Sequence, residues 1–196
     1  MIDLSSAWIG VDEAGRGPLA GPVTAAAVVF VPGTVIAEVA DSKILSAKRR
    51  GALEVEIKRQ ALRWGVGWAT PEEIDQLNIL QASLLAMRRA IASCGMFGGI
   101  VLADGNQLPR SGYDEWAIVK GDSKVLQISA ASILAKEARD REMRRLDAIY
   151  PGYGLAGHMG YPTKQHCEAL MRLGPTPIHR RSFGPVRLAI EAAQRR

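Results

Sequence analysis

The sequence predicts an α/β fold, and three observations carry that reading. Five short apolar runs, rich in β-branched and small residues, alternate with longer segments of helical spacing. The first two runs are joined by a Gly/Pro turn that suits a hairpin-like pair. Three of the runs lead into a carboxylate, as expected where a sheet gathers functional groups outside its strand ends.

Residues 8–12 read as the first strand (Trp8, Ile9, Val11) and residues 23–31 as the second (Val23, Thr24, Val28, Val29, Val31). Pro32-Gly33 closes that pair, and a loop through Asp41-Ser42-Lys43 reaches Ser46, an N-cap for a helix running to about residue 62. In residues 63–69, Trp64, Val66 and Trp68 alternate with Gly65 and Gly67, which predicts a third strand. Thr70-Pro71-Glu72-Glu73 supplies an N-cap, a proline in the first turn and acids near the positive helix end, so a second helix is expected from 71 to about 93. Residues 99–104 and 116–120 are the fourth and fifth strands, and helices are expected over 123 to about 149, 163–173 and 183–194. No internal repeat, low-complexity segment or linker interrupts the chain.

The most informative stretch follows the first strand: Asp12-Glu13-Ala14-Gly15-Arg16-Gly17-Pro18-Leu19-Ala20-Gly21-Pro22. Successive strand side chains point to opposite faces, so Asp12 and Glu13 are expected to serve one site only if the strand ends there and the chain turns at Gly15 and Gly17. Two unit charges about 4 Å apart cost roughly 4 kcal/mol at an effective dielectric near 20, and a cation relieves that cost. The alternative is that Asp12 closes the strand and Glu13 is solvated surface. The pattern recurs in Asp104 and, soon after the fifth strand, in Asp122.

At 196 residues and 47% hydrophobic content the chain is long enough to bury one core, and a net charge of +5 suggests an anionic partner. The bases are grouped: Lys43 to Arg63, then Arg139, Arg141, Arg144 and Arg145, then Arg180, Arg181, Arg195 and Arg196. Such grouping favours nucleic acid, with solvated helix faces as the alternative. Cys94 and Cys167 form no Cys-x-x-Cys pair, so a structural zinc is not expected and both are read as reduced and inert. The amino terminus lacks a signal-peptide pattern and no apolar run approaches a membrane span, so a cytoplasmic protein is expected.

With these residues in view, the chain resembles bacterial type 2 ribonuclease H (ribonuclease HII) over nearly its whole length. The first block, Asp12 to Val23, and the last, Gly174-Pro175-Thr176-Pro177-Ile178-His179-Arg180-Arg181-Ser182-Phe183, are the most specific. Between them lie Asp41-Ser42-Lys43, Asp104-Gly105-Asn106, Gly121-Asp122-Ser123-Lys124, Ala131-Ser132-Ile133-Leu134-Ala135-Lys136 and Gly160-Tyr161-Pro162-Thr163. The resemblance implies a ribonuclease H-like fold, a five-stranded mixed sheet flanked by helices. It implies one catalytic domain over 1–196, in which about 150–196 form a helical C-terminal extension. It further implies cleavage of the RNA strand of RNA–DNA hybrids and incision 5′ of single ribonucleotides in duplex DNA, as in ribonucleotide excision repair and DNA replication. Products would carry 3′-hydroxyl and 5′-phosphate ends, and the enzyme would act as a monomer.

By the same resemblance, Asp12, Glu13, Asp104 and Asp122 are the catalytic and metal-binding set, holding two Mg²⁺ or Mn²⁺ ions when substrate is bound. Asp12 would bridge them, Asp122 would complete the ion near the attacking water, and Glu13 with Asp104 would hold the ion near the leaving group. Hard carboxylate oxygens suit such ions, and a pair about 3.5–4 Å apart can activate water and stabilise the leaving oxygen. Gly15, Arg16 and Gly17 would contact the ribonucleotide, whose 2′-hydroxyl distinguishes RNA from DNA. Tyr161 would stack on the sugar at the RNA-to-DNA step, a core aromatic being the alternative. Lys43 and Lys124 would meet phosphates flanking the cut. Arg180 and Arg181 suit either the duplex backbone or acids of the fold, and His158 and His179 are read as structural. Family lysines are replaced here by Ile44, Gly157 and Met159, which removes positive charge near the expected DNA path.

Three other readings compete with this one. A dinucleotide fingerprint at Gly15, Gly17 and Gly21 needs a helix directly afterwards, and this sequence predicts a strand. A non-catalytic nucleic-acid binder gains nothing from four acids facing phosphates. A metal-dependent nuclease acting on DNA is opposed only by the Gly-Arg-Gly and Tyr161 blocks.

Overall fold

A computed structural model describes residues 7–37, 39, 45–95 and 98–195. Strand β1 (Trp8–Ala14) pairs antiparallel with β2 (Val23–Val29), which pairs antiparallel with β3 (Arg63–Ala69). On the other side of β1, β4 (Ile100–Asp104) and β5 (Asp114–Ile118) add in parallel, giving the order β3-β2-β1-β4-β5. The mixed five-stranded sheet read from the sequence is therefore present.

Alternation sorts β1 into two faces. Ile9 and Val11 pair with Val29 and Ala27 and share a core with Ala86, Ala90 and Ile91 of helix α3 (Ile79–Cys94). The opposite face carries Ala26 and Val28 of β2 against α1 (Ala47–Gln60) and the long α4 (Leu126–Ile149). Close helix-to-sheet contact explains two glycines that interrupt apolar strands. A Cβ on Gly10 would lie 2.2 Å from the Gln127 carbonyl carbon, and one on Gly67 would lie 2.2 Å from the Ala86 carbonyl oxygen.

A third apolar cluster joins the Gly/Pro turn after β1 to the C-terminal part of the chain, where α5 (Leu155–His158), α6 (Lys164–Leu173) and α7 (Gly184–Gln194) lie. Leu19 and Ala20 pack with Met143, Leu146, Leu155, Leu170, Ile178 and Val186, each large aliphatic side chain contributing about 1.5–3 kcal/mol by leaving water. Backbone bonds from Leu19 to Gly160 (2.8 Å), Gly21 to Ile178 (2.9 Å) and Arg180 to Leu19 (2.8 Å) stitch the same join. The turn after β1 is thus clamped against the C-terminal segment.

The structure corrects several expected boundaries. Strand β1 does not end at Asp12: it continues through Glu13 and Ala14, because β2 keeps pairing as far as Thr24. Strand β2 ends at Val29 rather than Val31. The single helix expected over 71–93 is two, α2 (Pro71–Leu77) and α3, divided at Asn78, whose φ of 73° no helix accommodates. Asn78 ends α2 and its side chain caps α3 by accepting from the Gln81 amide at 3.1 Å. Strand β5 occupies 114–118 rather than 116–120, since its register with β4 stops at Asp104 opposite Ile118 and Lys120 turns left-handed (φ 57°). A single 3₁₀ turn (Gly121–Ser123) then precedes α4, so the helix starts at Leu126 rather than at Ser123.

The capping signals at Ser46 and Thr70 are both used, the latter as a reciprocal capping box with Glu73. Cys94 is buried, which pushes its thiol up to about 11 and leaves it unreactive at neutral pH. Among the described residues no helix is long and apolar enough to cross a membrane.

Candidate active site

The four acids come to one end of the sheet by different routes. Asp12 and Asp104 lie on adjacent parallel strands one residue beyond the Val11–Ala103 pair, and so on the same face. Glu13 follows Asp12 on β1 and points to the opposite face, sharing it with Val11 and Ala25. Asp122 arrives from the 3₁₀ turn, whose Gly121 and Asp122 amides donate to Asp104 Oδ1 at 2.7 and 3.4 Å. Ser129 of α4 fastens that turn by donating to the Asp122 carbonyl. The acids therefore gather at the sheet end even though β1 does not stop between its two.

Three of the acids, Asp12, Glu13 and Asp104, lie close enough to act on one another's charge. Burial holds the Asp12 carboxyl well above the usual carboxylate range, and the charges of Glu13 and Asp104 push it further. Two hydrogen bonds act the other way, from the Ser132 side chain and from the Glu13 amide at 2.7 Å. Glu13 is also raised by burial and by Asp104, against the opposing pull of Arg16, whose Nη1 lies 3.3 Å from Glu13 Oε1. Among the described residues neither Asp12 nor Asp104 forms an ion pair, and no three His, Cys, Asp or Glu side chains are drawn close enough to enclose a metal ion. The acids offer hard oxygen donors, and the mutual repulsion of Asp12, Glu13 and Asp104 is only partly offset by Arg16 and the hydrogen bonds to Asp12, the chemistry a divalent cation fits.

Beside the acids lies a cleft of about 420 Å³, lined by Glu13, Gly15, Arg16, Gly17, Ser132 and Tyr161 among others. Tyr161 is 43% exposed rather than a core aromatic, and a Cβ on Gly17 would sit 3.5 Å from its ring. The Gly-Arg-Gly segment and the tyrosine, 144 positions apart from Gly17 to Tyr161, thus form two walls of one recess. Lys124, two positions after Asp122, is exposed and donates to the Val119 carbonyl at 2.8 Å. Lys43, with Asp41, Ser42 and Ile44, lies outside the described residues.

Two buried arginines shape the recess, Arg139 among its lining and Arg180 behind it. Arg180 is fully buried and donates to the carbonyls of Gly15 (2.7 Å), Arg16 (2.9 Å) and Gly21 (3.0 Å). Arg139, 1% exposed, donates to those of Pro22 (3.1 Å), Met159 (3.0 Å) and Ala20 (3.2 Å). Burial lowers Arg180 to about 9 and Arg139 to about 10, so both stay charged at neutral pH. A trans peptide sets C=O and N–H on opposite sides, so turning the Gly15 and Arg16 carbonyls inward aims the Arg16 and Gly17 amides away from Arg180. Arg139 and Arg180 are therefore internal braces rather than contacts to a polyanion.

Other members of the basic groups are also engaged within the fold. Arg141 forks onto Glu54 (2.7 and 2.8 Å) and Arg145 onto Glu142. Arg181 is exposed, with its backbone amide held by Asp75 at 2.8 Å. Residue type marks Arg139 only as one of a basic group and Ser132 only as part of a family-like block, but position betrays the inward role of Arg139: it follows Ile128, Ala131 and Ala135 along the buried stripe of α4.

The ribonuclease HII family model matches residues 9–186. The ribonuclease H2 of Pyrococcus horikoshii OT3 superposes with a TM-score of 0.81 at 28% identity, over 97% of this chain and 100% of that one. The ribonuclease HII of Archaeoglobus fulgidus, solved in complex with PCNA, gives 0.78 at 26% identity over 91% and 95%. Bst ribonuclease HIII, solved with Mn²⁺, shares the fold at 20% identity, with a TM-score of 0.77 over 98% of this chain and 71% of that one. Sheet order, the acids at its end and a match spanning both specific motif blocks converge on one conclusion: the chain belongs to the ribonuclease HII family, hydrolases of the RNA in RNA–DNA hybrids.

Proposed function

We propose that Asp12, Glu13, Asp104 and Asp122 hold two divalent ions, Mg²⁺ or Mn²⁺, and that the chain cuts the RNA strand of hybrids and 5′ of single ribonucleotides in duplex DNA. The observation that carries this reading is the placing of Asp12 and Asp104 on one face of adjacent strands, charge-coupled to Glu13, which lines the Gly15–Tyr161 recess. Bound there, such ions supply a deprotonated water and stabilise charge on the phosphate and the departing 3′-oxygen. Ser132 and the Glu13 amide keep Asp12 oriented, and Asp104 is oriented by the amides of the 3₁₀ turn. The Arg16 and Gly17 amides, turned away from Arg180, donate toward a ribose 2′-hydroxyl or its phosphate. Tyr161 covers the adjoining sugar, where a ribose in place of deoxyribose would crowd its ring. Arg16, and Lys124 once it leaves Val119, meet flanking phosphates, and Lys43 is assigned the same task by resemblance alone.

All these groups come from one chain, which supports a monomeric catalytic unit, and its setting is read as cytoplasmic. Cleavage of a labelled RNA–DNA hybrid tests the metal assignment. Activity is expected with Mg²⁺ or Mn²⁺, none with a chelator, and a loss of at least about 100-fold in Asp12→Asn, on the scale of removing an essential charge-stabilising group. Undiminished cleavage in the chelator contradicts the assignment.

A further inference from the structure

We propose that His166 and His179 are positioning residues that fix the backbone of Tyr161 through a directed chain of hydrogen bonds; this rests on the substrate role given to Tyr161 above. The direction of every bond follows from groups that can act in only one sense. The Thr176 amide must donate, and it meets His179 Nδ1 at 3.1 Å, so that nitrogen carries no proton. Neutral His179 then bears its proton on Nε2, which lies 3.3 Å from His166 Nε2. The Tyr161 carbonyl must accept, and it meets His166 Nδ1 at 3.0 Å, so His166 is protonated there and free to accept at Nε2. The chain runs from Thr176 through His179 and His166 to Tyr161 with no conflict when both rings are neutral. Burial lowers both histidines, His179 to about 4, which keeps them so at working pH.

Other contacts make the device specific to Tyr161. Its amide donates to the His158 carbonyl at 2.9 Å, and its own carbonyl also accepts from Thr163 at 2.8 Å. The ring of His158 stacks on His166 with centroids 4.6 Å apart, so His166 has little freedom to turn. His179 itself is anchored beside Arg180, the residue that orients the opposite wall of the recess. Both walls are thereby tied to one C-terminal segment, which accounts for two histidines buried next to a surface tyrosine.

Two readouts test this. Long-range ¹H–¹⁵N NMR of the histidine rings is expected to show His166 protonated on Nδ1 and His179 on Nε2; His166 protonated on Nε2 overturns the chain. The second readout is the ratio of cleavage at a single ribonucleotide to cleavage of a long hybrid. His166→Ala is expected to lower that ratio about threefold to tenfold, the equivalent of one hydrogen bond, and His166→Asn, which keeps a donor near Nδ1, to restore it. In a Tyr161→Ala background, His166→Ala is expected to leave the ratio where it is. Equal loss on both substrates, or an additive effect in that background, overturns positioning through Tyr161. If Tyr161→Ala alone leaves the ratio unchanged, the junction role of Tyr161 fails, and the ring tautomers alone then decide the hydrogen-bond chain.

Discussion

At the scale of single residues, Gly15 and Gly17 look alike in the motif yet answer to different demands. Gly15 has φ +94°, and a Cβ there would fall 2.0 Å from Arg139 Nε, a guanidinium locked to three carbonyls. Gly17 has only an ordinary contact with Tyr161 at 3.5 Å. Gly15→Ala is expected to lose about 2–4 kcal/mol of stability in urea unfolding, combining left-handed strain with displacement of a buried group. Gly17→Ala is expected to fold within about 0.5 kcal/mol of the parent and to lose activity on single ribonucleotides. Equal stability loss in the two variants would contradict this division. The motif itself was legible from residue type, but its bracing was not. By sequence Arg139 belongs to a basic group and Arg180 suits either the duplex backbone or acids of the fold, because composition cannot tell a guanidinium that faces phosphates from one that collects backbone carbonyls.

At the scale of elements, Asn78 decides how the second helical region is divided. Apolar spacing through Ile74, Leu77, Leu80 and Leu84 continues across it, so periodicity alone joined α2 to α3. The side chain of Asn78 tolerates positive φ and caps the following turn, which is why the break falls there. Asn78→Ala is expected to cost about 1–2 kcal/mol, and Asn78→Gly, which keeps the backbone conformation, only a few tenths. An alanine variant as stable as the parent would contradict the capping role. The length of β1 is the other element-level lesson. Local sequence brings both acids to one site only by ending the strand, whereas the structure reaches the same gathering with the strand intact, through Asp104 on the neighbouring strand and the 3₁₀ turn. Long-range register decides this, and it is not written in local sequence.

At the scale of the whole molecule, the recess exists because the turn after β1 is clamped to the C-terminal segment, and His179 sits inside that clamp. Burial, with His166 beside it, holds folded His179 near 4, whereas an unfolded histidine titrates near about 6.5. Between those values the unfolded chain binds the proton and the folded chain does not. This contribution to stability is therefore complete above about pH 6.5 and is lost as pH falls toward 4, amounting to roughly 3 kcal/mol for one such group. Asp12 acts with the opposite sign, since its raised carboxyl favours the fold as pH falls, so the comparison is made against a variant. In urea unfolding, stability is expected to drop less steeply between about pH 6.5 and about pH 5 in His179→Gln than in the parent; identical slopes would contradict it.

The central claim is that acids at the sheet end cut where the adjoining recess senses a lone ribonucleotide. Its most direct test is cleavage of an end-labelled DNA duplex carrying one ribonucleotide, beside an all-DNA duplex, with Mg²⁺ or Mn²⁺. The account predicts a single cut on the 5′ side of the ribonucleotide, leaving a 3′-hydroxyl, no cut in the all-DNA duplex, and loss of the cut in Asp122→Asn. Equal cutting of the two duplexes, or full activity in Asp122→Asn, would contradict it.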